Sequence, residues 1–474
     1  MDSRNWFTLI VYLVQAVLAV STAIVVLRGN RQPVKTMAWL LVLGFLPIVG
    51  VVLFFFFGRD VRKEKYINKH SLDMLERQVM SLQAEKGAVV LREPHAELIR
   101  LFENQNMALP LGDNHVDVYT DGYEFFPALL KAIKEAREHV HLVTYIFDND
   151  ALGQLVVDAL IDKVKEGVAV RVIYDDVGCW KVKDKFFKHM RKNGIEVFPF
   201  LPVHFPSMTS KVNYRNHRKI CVVDGTVGFI GGMNIALRYV KGGEQPWRDT
   251  HMRVEGKAVY GLQTAFLTDW YFVTQKHVTG EEFYPDIEPR RDGCLMQIVT
   301  SDPTTQWPEL MQGYVRILLE ARRYVYIETP YFLPTEPVSF ALSTCALAGV
   351  DVRVIIPKKG DSKMVQLASR SFIEDMLAAG VKFYLYESGF NHSKLMICDD
   401  NLCTCGSCNV DFRSFENNFE ANAFIYDTDT VAAVKQVFLN DLEHCQALDA
   451  ERFLLRPFHV KLWESVLRLF SPLL

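Results

Sequence analysis

An α/β fold is what this sequence predicts: two duplicated α/β lobes sharing one central active site, preceded by an N-terminal transmembrane helical hairpin. Three observations carry the prediction. Apolar runs of strand length alternate with helical stretches, and the same order occurs twice. A polar motif built on histidine and lysine also occurs twice, late in each repeat. Two uncharged apolar runs stand ahead of both repeats. The implied boundaries are residues 1–63 for two transmembrane helices, 64–111 for a linker, 112–290 and 291–450 for the lobes, and 451–474 for an amphipathic C-terminal segment.

Composition narrows the function classes. At 474 residues the chain exceeds the usual reach of one hydrophobic core. A net charge of -3 argues against a dedicated nucleic-acid binder, so nucleic acid is not an expected partner. The nine cysteines are odd in number and scattered, which suits a reducing compartment better than a secreted disulfide framework. Cys398, Cys403, Cys405 and Cys408 cluster, but their spacing fits no common zinc pattern. Strand alternation would point them in different directions, so small buried side chains are expected rather than metal ligands.

Trp6 to Leu27 and Thr36 to Phe57 each hold 22 residues without a charge. As helices they would reach about 33 Å, enough for a hydrocarbon layer of roughly 30 Å. Arg28, Arg31 and Lys35 lie in the connection, whereas Arg4, Arg59, Arg62, Lys63, Lys65 and Lys69 flank the other side. That bias predicts a multi-pass protein of the cell (inner) membrane with its lobes in the cytoplasm.

Within the first lobe, Phe126 to Arg137 reads as a helix, Val140 to Phe147 as a strand, Leu152 to Glu166 as a helix and Val168 to Tyr174 as a strand. Leu310 to Arg322, Tyr324 to Thr329, Pro337 to Ala348 and Val350 to Ile356 repeat that order. The continuous apolar strands are those of a buried sheet. In the last segment, Val460, Trp463, Val466, Leu467 and Phe470 fall largely on one helical stripe. Packing on the lobes and lying on a membrane surface both explain it.

The repeated motif is His-x-Lys-x4-Asp-x6-Gly-(Gly/Ser)-x-Asn. Its first copy gives His217, Lys219, Asp224 and Asn234; its second gives His392, Lys394, Asp399, Ser407 and Asn409. A histidine titrates near neutrality, and a lysine two residues on in a strand projects from the same face, so an anion beside an imidazole is favoured. Asn234 and Asn409 can donate amide hydrogens to phosphate oxygens, and Ser407 adds a hydroxyl in the second copy. Two imidazoles across a phosphodiester permit in-line displacement, one attacking phosphorus while the other manages the leaving and incoming protons. Two lysines offset the developing charge, so neither metal nor cofactor is expected. Asp224 and Asp399 belong to the catalytic motif, although an acid at a strand-to-turn junction more often fixes backbone.

These residues resemble the phospholipase D superfamily and, within it, the bacterial cardiolipin synthases. The finer likeness rests on Pro47, Gly58-Arg59, the stretches Tyr214 to Lys219, Gly231 to Ile235, Trp247 to His251, Thr329 to Phe332 and Asp411 to Phe415, and Asn418-Phe419-Glu420. The resemblance implies phosphatidyl transfer between two phosphatidylglycerol molecules, giving cardiolipin and glycerol. It also implies His217 as the nucleophile, His392 as general acid then base, and Lys219, Lys394, Asn234, Asn409 and Ser407 as phosphate ligands. Asp249 and Glu420 would each orient a histidine, often the one from the opposite lobe. A hydrolytic phospholipase D or a membrane-bound nuclease of the same superfamily is the alternative.

Overall fold

The computed structural model describes residues 3–28, 33–54, 95–106, 108–203, 213–240, 246–288 and 293–474. The chain forms two compact units, Met1–Tyr66 with Val203–Tyr214, and Ile67–Pro202 with Arg215–Leu474. The expected linker up to residue 94, with the bases from Arg59 to Lys69, lies outside the described residues.

In the first unit the helix Ser3–Arg28 covers the first apolar run. The second run was expected as one helix and is instead two, Pro33–Phe45 and Pro47–Leu53. Pro47 has no N–H and crowds the residue before it, and Leu46 leaves the helical region at φ -133° and ψ 66°. Val26, Leu43 and Phe54 are buried together between these helices. Tyr12, Leu13, Val17 and Val20 turn apolar surface outward. Among the described residues no helix is long and apolar enough to cross a membrane.

The second unit is organised by one sheet of 15 strands. The first repeat supplies β1 (Leu111–Tyr119), β2 (His139–Thr144), β3 (Ala169–Asp175), β4 (Glu196–Phe200), β5 (Ile220–Val223), β6 (Val227–Gly231) and β8 (His251–Glu255) to it; β7 (Trp247–Arg248) lies outside it. The second supplies β9 (Cys294–Ser301), β10 (Tyr324–Glu328), β12 (Asp351–Pro357), β13 (Lys382–Tyr386), β15 (Leu395–Cys398), β16 (Leu402–Gly406), β18 (Glu420–Ile425) and β19 (Cys445–Ala447); β11 (Phe332–Leu333), β14 (Phe390–Asn391) and β17 (Val410–Asp411) lie outside it. From the middle outwards one half runs β1-β8-β6-β5-β2-β3-β4 and the other β9-β18-β16-β15-β10-β12-β13-β19. These are the same order, so the duplication read in the sequence is a duplication of topology. The seam is an antiparallel pairing of β1 with β9 whose register shifts between Leu111 and Asn114.

β2, β3 and β4 pair in parallel, as do β10, β12 and β13. The inner strands β2 and β10 are buried at every position, whereas β3, β4, β12 and β13 begin with partly exposed positions. Each half keeps a private core, one around Val140, Leu160, Phe186 and Phe229, the other around Val325, Leu342, Val354 and Met396. A third core holds Phe266 and Trp270 of the helix Val259–Thr274 together with Val434 and Phe438 of Thr428–Glu443, so it joins the halves. Cys403 and Cys405 lie in this shared core, whereas Cys398 and Cys408 lie in the second private one.

The C-terminal stripe takes a different form from the one expected. In the helix Phe458–Arg468, Leu467 and Glu464 are buried while Trp463 is exposed. Lys461, Glu464 and Arg468 make ion pairs on the inward side, beside buried Leu467.

Candidate active site

Both copies of the motif begin with the same local turn. Asn216 Oδ1 accepts from the backbone N–H of Arg218 at 3.1 Å, and Asn391 Oδ1 accepts from Ser393 N–H at 2.9 Å. Each asparagine is fixed in turn by a buried acid, Asn216 through its amide to Asp269 at 2.8 Å and Asn391 to Glu328 at 3.1 Å. The turn sits just ahead of β5 or β15, so histidine and lysine stand at the strand's entry.

Backbone pairing then crosses from one half to the other. His217 N–H donates to the carbonyl of Phe419 at 2.9 Å, and His392 N–H donates to the carbonyl of Arg248 at 2.6 Å. The residue after each carbonyl is an acid, Glu420 or Asp249. His392 Nδ1 lies 2.7 Å from Asp249, and His217 Nδ1 lies 3.1 Å from Glu420. Both carboxylates are fully buried, so the protein supplies each histidine with an acid from the opposite repeat.

An Nδ1–H that donates to a carboxylate leaves the Nε2 lone pair free. Among the described residues neither Nε2 has a hydrogen-bond partner. Burial would raise both carboxyls, but Lys394 and His392 hold Asp249 below its ordinary value, and His217 and Lys219 do the same for Glu420. Burial lowers both histidines; His392, with Lys394 adding repulsion, is pushed down to about 3. Lys219 is pushed down to about 7, by burial against the pull of Glu420 and with the push of Lys394. Lys219 and Lys394 each donate to the carbonyl of the histidine two residues earlier. The result is a pocket in which two lysines are balanced by two carboxylates and both Nε2 atoms are left without a protein partner among the described residues.

The remaining expected residues divide. Asp224 accepts from the N–H groups of Arg137, Glu138 and His139 at 2.8, 2.9 and 2.9 Å, and Asp399 from those of Arg322, Arg323 and Tyr324 at 3.0, 2.8 and 3.0 Å. They stand at the far end of β5 and β15, roughly 17 Å along the strand from the lysine, where each anchors the start of β2 or β10, the structural role expected of an acid at a strand-to-turn junction. The Ser407 hydroxyl donates to Glu420 at 2.5 Å and accepts from Ala421 N–H at 3.0 Å, so it holds the acid. In the first repeat a Cβ on Gly232 would lie 2.0 Å from Asp249, so the shorter acid fills the place that Ser407 takes beside Glu420. Asn234 accepts from Ile146 N–H at 3.0 Å and donates to Tyr239 Oη at 2.9 Å, which leaves one amide hydrogen. Asn409 keeps its side-chain oxygen buried and without a hydrogen bond among the described residues.

Several neighbours carry no mark in the motif. The Tyr145 ring stands edge-on to His217 with centroids 5.0 Å apart, and Trp247 and Tyr331 lie 5.0 and 6.3 Å from His392. Asp175 and Glu328 end the parallel strands β3 and β10, and an acid closing an apolar strand was the signal that could have found them. Asp175 accepts from Asn216 N–H at 2.9 Å and lies 3.4 Å from Arg215.

Comparison with known proteins agrees with this geometry. The family described as "Cardiolipin synthase, PLD-like domain" matches residues 129–270 and 314–442, and "Phospholipase_D-nuclease N-terminal" matches residues 17–59. The chain is 39% identical over 465 residues to a cardiolipin synthase of Geobacillus kaustophilus, covering 95% of this chain and 91% of that one. It is 38% identical over 470 residues to the major cardiolipin synthase of Bacillus subtilis, covering 95% and 96%. A phosphatidylserine synthase of Haemophilus influenzae shares the fold at a TM-score of 0.59 and 15% identity, over 80% of this chain and 100% of that one. With more than half its length matched by the family's domain, and relatives aligned nearly end to end, this chain belongs to the cardiolipin synthases of the phospholipase D-like superfamily.

Proposed function

We propose that the crossed histidine pairs transfer a phosphatidyl group from one phosphatidylglycerol to the glycerol hydroxyl of another through a phosphatidyl-histidine intermediate. His217 Nε2 attacks phosphorus, and the bond to the glycerol oxygen breaks as His392 Nε2–H protonates it. Neutral His392 then takes the proton from the hydroxyl of the second phosphatidylglycerol, whose oxygen displaces His217 and forms cardiolipin. Each carboxylate keeps its imidazole in the Nδ1–H form and stabilises the cation that appears on it. Lys219 and Lys394 spread the phosphate charge.

Assignment of the nucleophile follows the family resemblance, and the fixing of Glu420 suits it. That carboxylate also receives hydrogen bonds from Ser407, Ser414 and Asn418, so the His217 ring is held in one tautomer with Nε2 unprotonated. Burial and Lys394 favour neutral His392 before a phosphodiester binds. A bound phosphodiester offsets the lysine charge and restores the proton that a general acid needs.

The same reading puts the N-terminal helices in the inner membrane as a hairpin with the lobes in the cytoplasm. Their outward apolar side chains, the flanking bases and the matched N-terminal family support it. The repeats then act as lobes 112–290 and 291–450 around one site. The observation that carries the proposal is the exchange of Asp249 and Glu420 between halves, which ties the Nδ1 of each imidazole to an acid of the other half. Purified protein with labelled phosphatidylglycerol should give cardiolipin and glycerol; phosphatidic acid alone would instead identify a hydrolase.

A further inference from the structure

The helix Phe458–Arg468 is amphipathic the wrong way round for a helix that packs on a soluble core. Its charged side chains face the protein: Lys461 donates to Glu374 at 2.6 Å, Arg468 reaches Asp375 at 2.8 Å, and buried Glu464 accepts from Arg456 at 2.9 Å. All these bonds pin it to the helix Lys363–Ala378 and to its own preceding turn. Its large apolar side chains face out, with Leu455, Phe458 and Leu469 at 82%, 79% and 77% exposure and Leu462, Trp463 and Phe470 beside them. Positions 458, 462, 463, 466 and 469 make one continuous helical stripe with exposed His459 inside it, and exposed Arg452 lies in the helix just before.

We infer that this face docks on a phospholipid bilayer, as a surface-lying helix that orients the catalytic unit toward its lipid. The inference rests on the lipid-transferring function proposed above. An exposed apolar stripe with Trp and Phe suits the headgroup-to-acyl boundary, and ion pairs hold its polar side on the protein without any bilayer. The helix and turn just before this face, through Arg452, Phe453 and Arg456, line a cavity of about 500 Å³ that Tyr331 and Phe332 also line. The Tyr331 ring stands edge-on to His392. Docking therefore places bilayer lipid near a cavity whose lining includes a neighbour of the site histidine.

The test uses the full chain reconstituted in nanodiscs of phosphatidylglycerol and phosphatidylcholine, with an environment-sensitive dye on Phe458→Cys. The expected result is a blue-shifted emission quenched by spin-labelled lipids. Dye that stays in water overturns the proposal, and so does cross-linking of Phe458→Cys between two copies in place of lipid quenching. Phe458→Glu/Leu462→Glu should cut turnover on vesicles at least tenfold while leaving turnover on monomeric short-chain phosphatidylglycerol unchanged. Equal activity of variant and parent on vesicles also overturns it. Loss of cardiolipin from the parent on short-chain lipid would refute the catalytic reading alone, because the dye reports contact without turnover.

Discussion

At the residue scale the site depends on which nitrogen holds a proton. Removing His217 removes the attacking atom, so His217→Ala should abolish covalent capture of labelled lipid. His392→Ala should still trap lipid slowly and lose about 10²–10⁴ in turnover. Trapped label on His392 in the parent protein would reverse the assignment. Replacing either acid by its amide lets the imidazole turn to the wrong tautomer. Glu420→Asn would also shorten the side chain, so Glu420→Gln and Asp249→Asn are the informative changes; each should lower kcat by up to about 10⁴ with little loss of thermal stability.

Lys219 makes the reaction pH-dependent on its alkaline side. A lysine pushed down to about 7 is charged below that pH and loses its proton as pH rises through it. Phosphate binding should therefore weaken above neutrality, with kcat/KM falling about tenfold per pH unit. Lys219→Arg keeps its charge, so its profile should lack that fall while its plateau is lower. A parent profile flat from pH 7 to 9 would contradict the assignment.

Among elements, the turns that carry Asp224 and Asp399 show why a motif residue need not be catalytic. Both residues sit at positive φ, 51° and 46°, and each carboxylate gathers three N–H groups at the start of a buried strand. Asp224→Ala should cost about 2–3 kcal/mol of stability while the folded fraction keeps its kcat, measured by thermal unfolding beside an active-site titration. The helix Glu309–Glu320 carries a separate pH effect. Glu309 is almost fully buried, and burial with the nearby Asp302 pushes its carboxyl up to about 8. Unfolded, it ionises near its ordinary value of 4.5, so between about 4.5 and 8 the native state holds the extra proton. Stability from this group thus falls as pH rises across that window and levels above it. Glu309→Gln should flatten that slope in a series of melting curves.

For the whole molecule, the seam between halves is the vulnerable feature, because each histidine needs an acid from across it. Asn114 sits there fully buried, donating to the carbonyls of Leu111 and Cys294 at 2.6 and 2.9 Å and accepting from Ala258 N–H at 2.7 Å. Asn114→Ala leaves three buried backbone groups unpaired, at a cost of about 1–3 kcal/mol for each. It should lower Tm and reduce turnover although it lies outside the site; unchanged turnover in the folded protein would show that the site tolerates a looser seam.

The amino-acid sequence by itself determined the repeat, the parallel strands and the motif residues, because burial in a covered sheet favours strands rich in Val, Ile and aromatic residues and because imidazole and ammonium chemistry has few substitutes. Helix and strand limits came within a few residues for the same reason. It also placed Asp249 and Glu420 as orienting acids, but only by resemblance. Tertiary structure decided what no local pattern encodes: that the Ser407 hydroxyl bonds to Glu420, that Asp224 and Asp399 gather backbone N–H groups, and that the last helix turns its charges inward. Those outcomes depend on which groups lie opposite across the seam or on a neighbouring helix. A side chain's role is set by the partner it meets in space, and spacing along the chain specifies only its own direction.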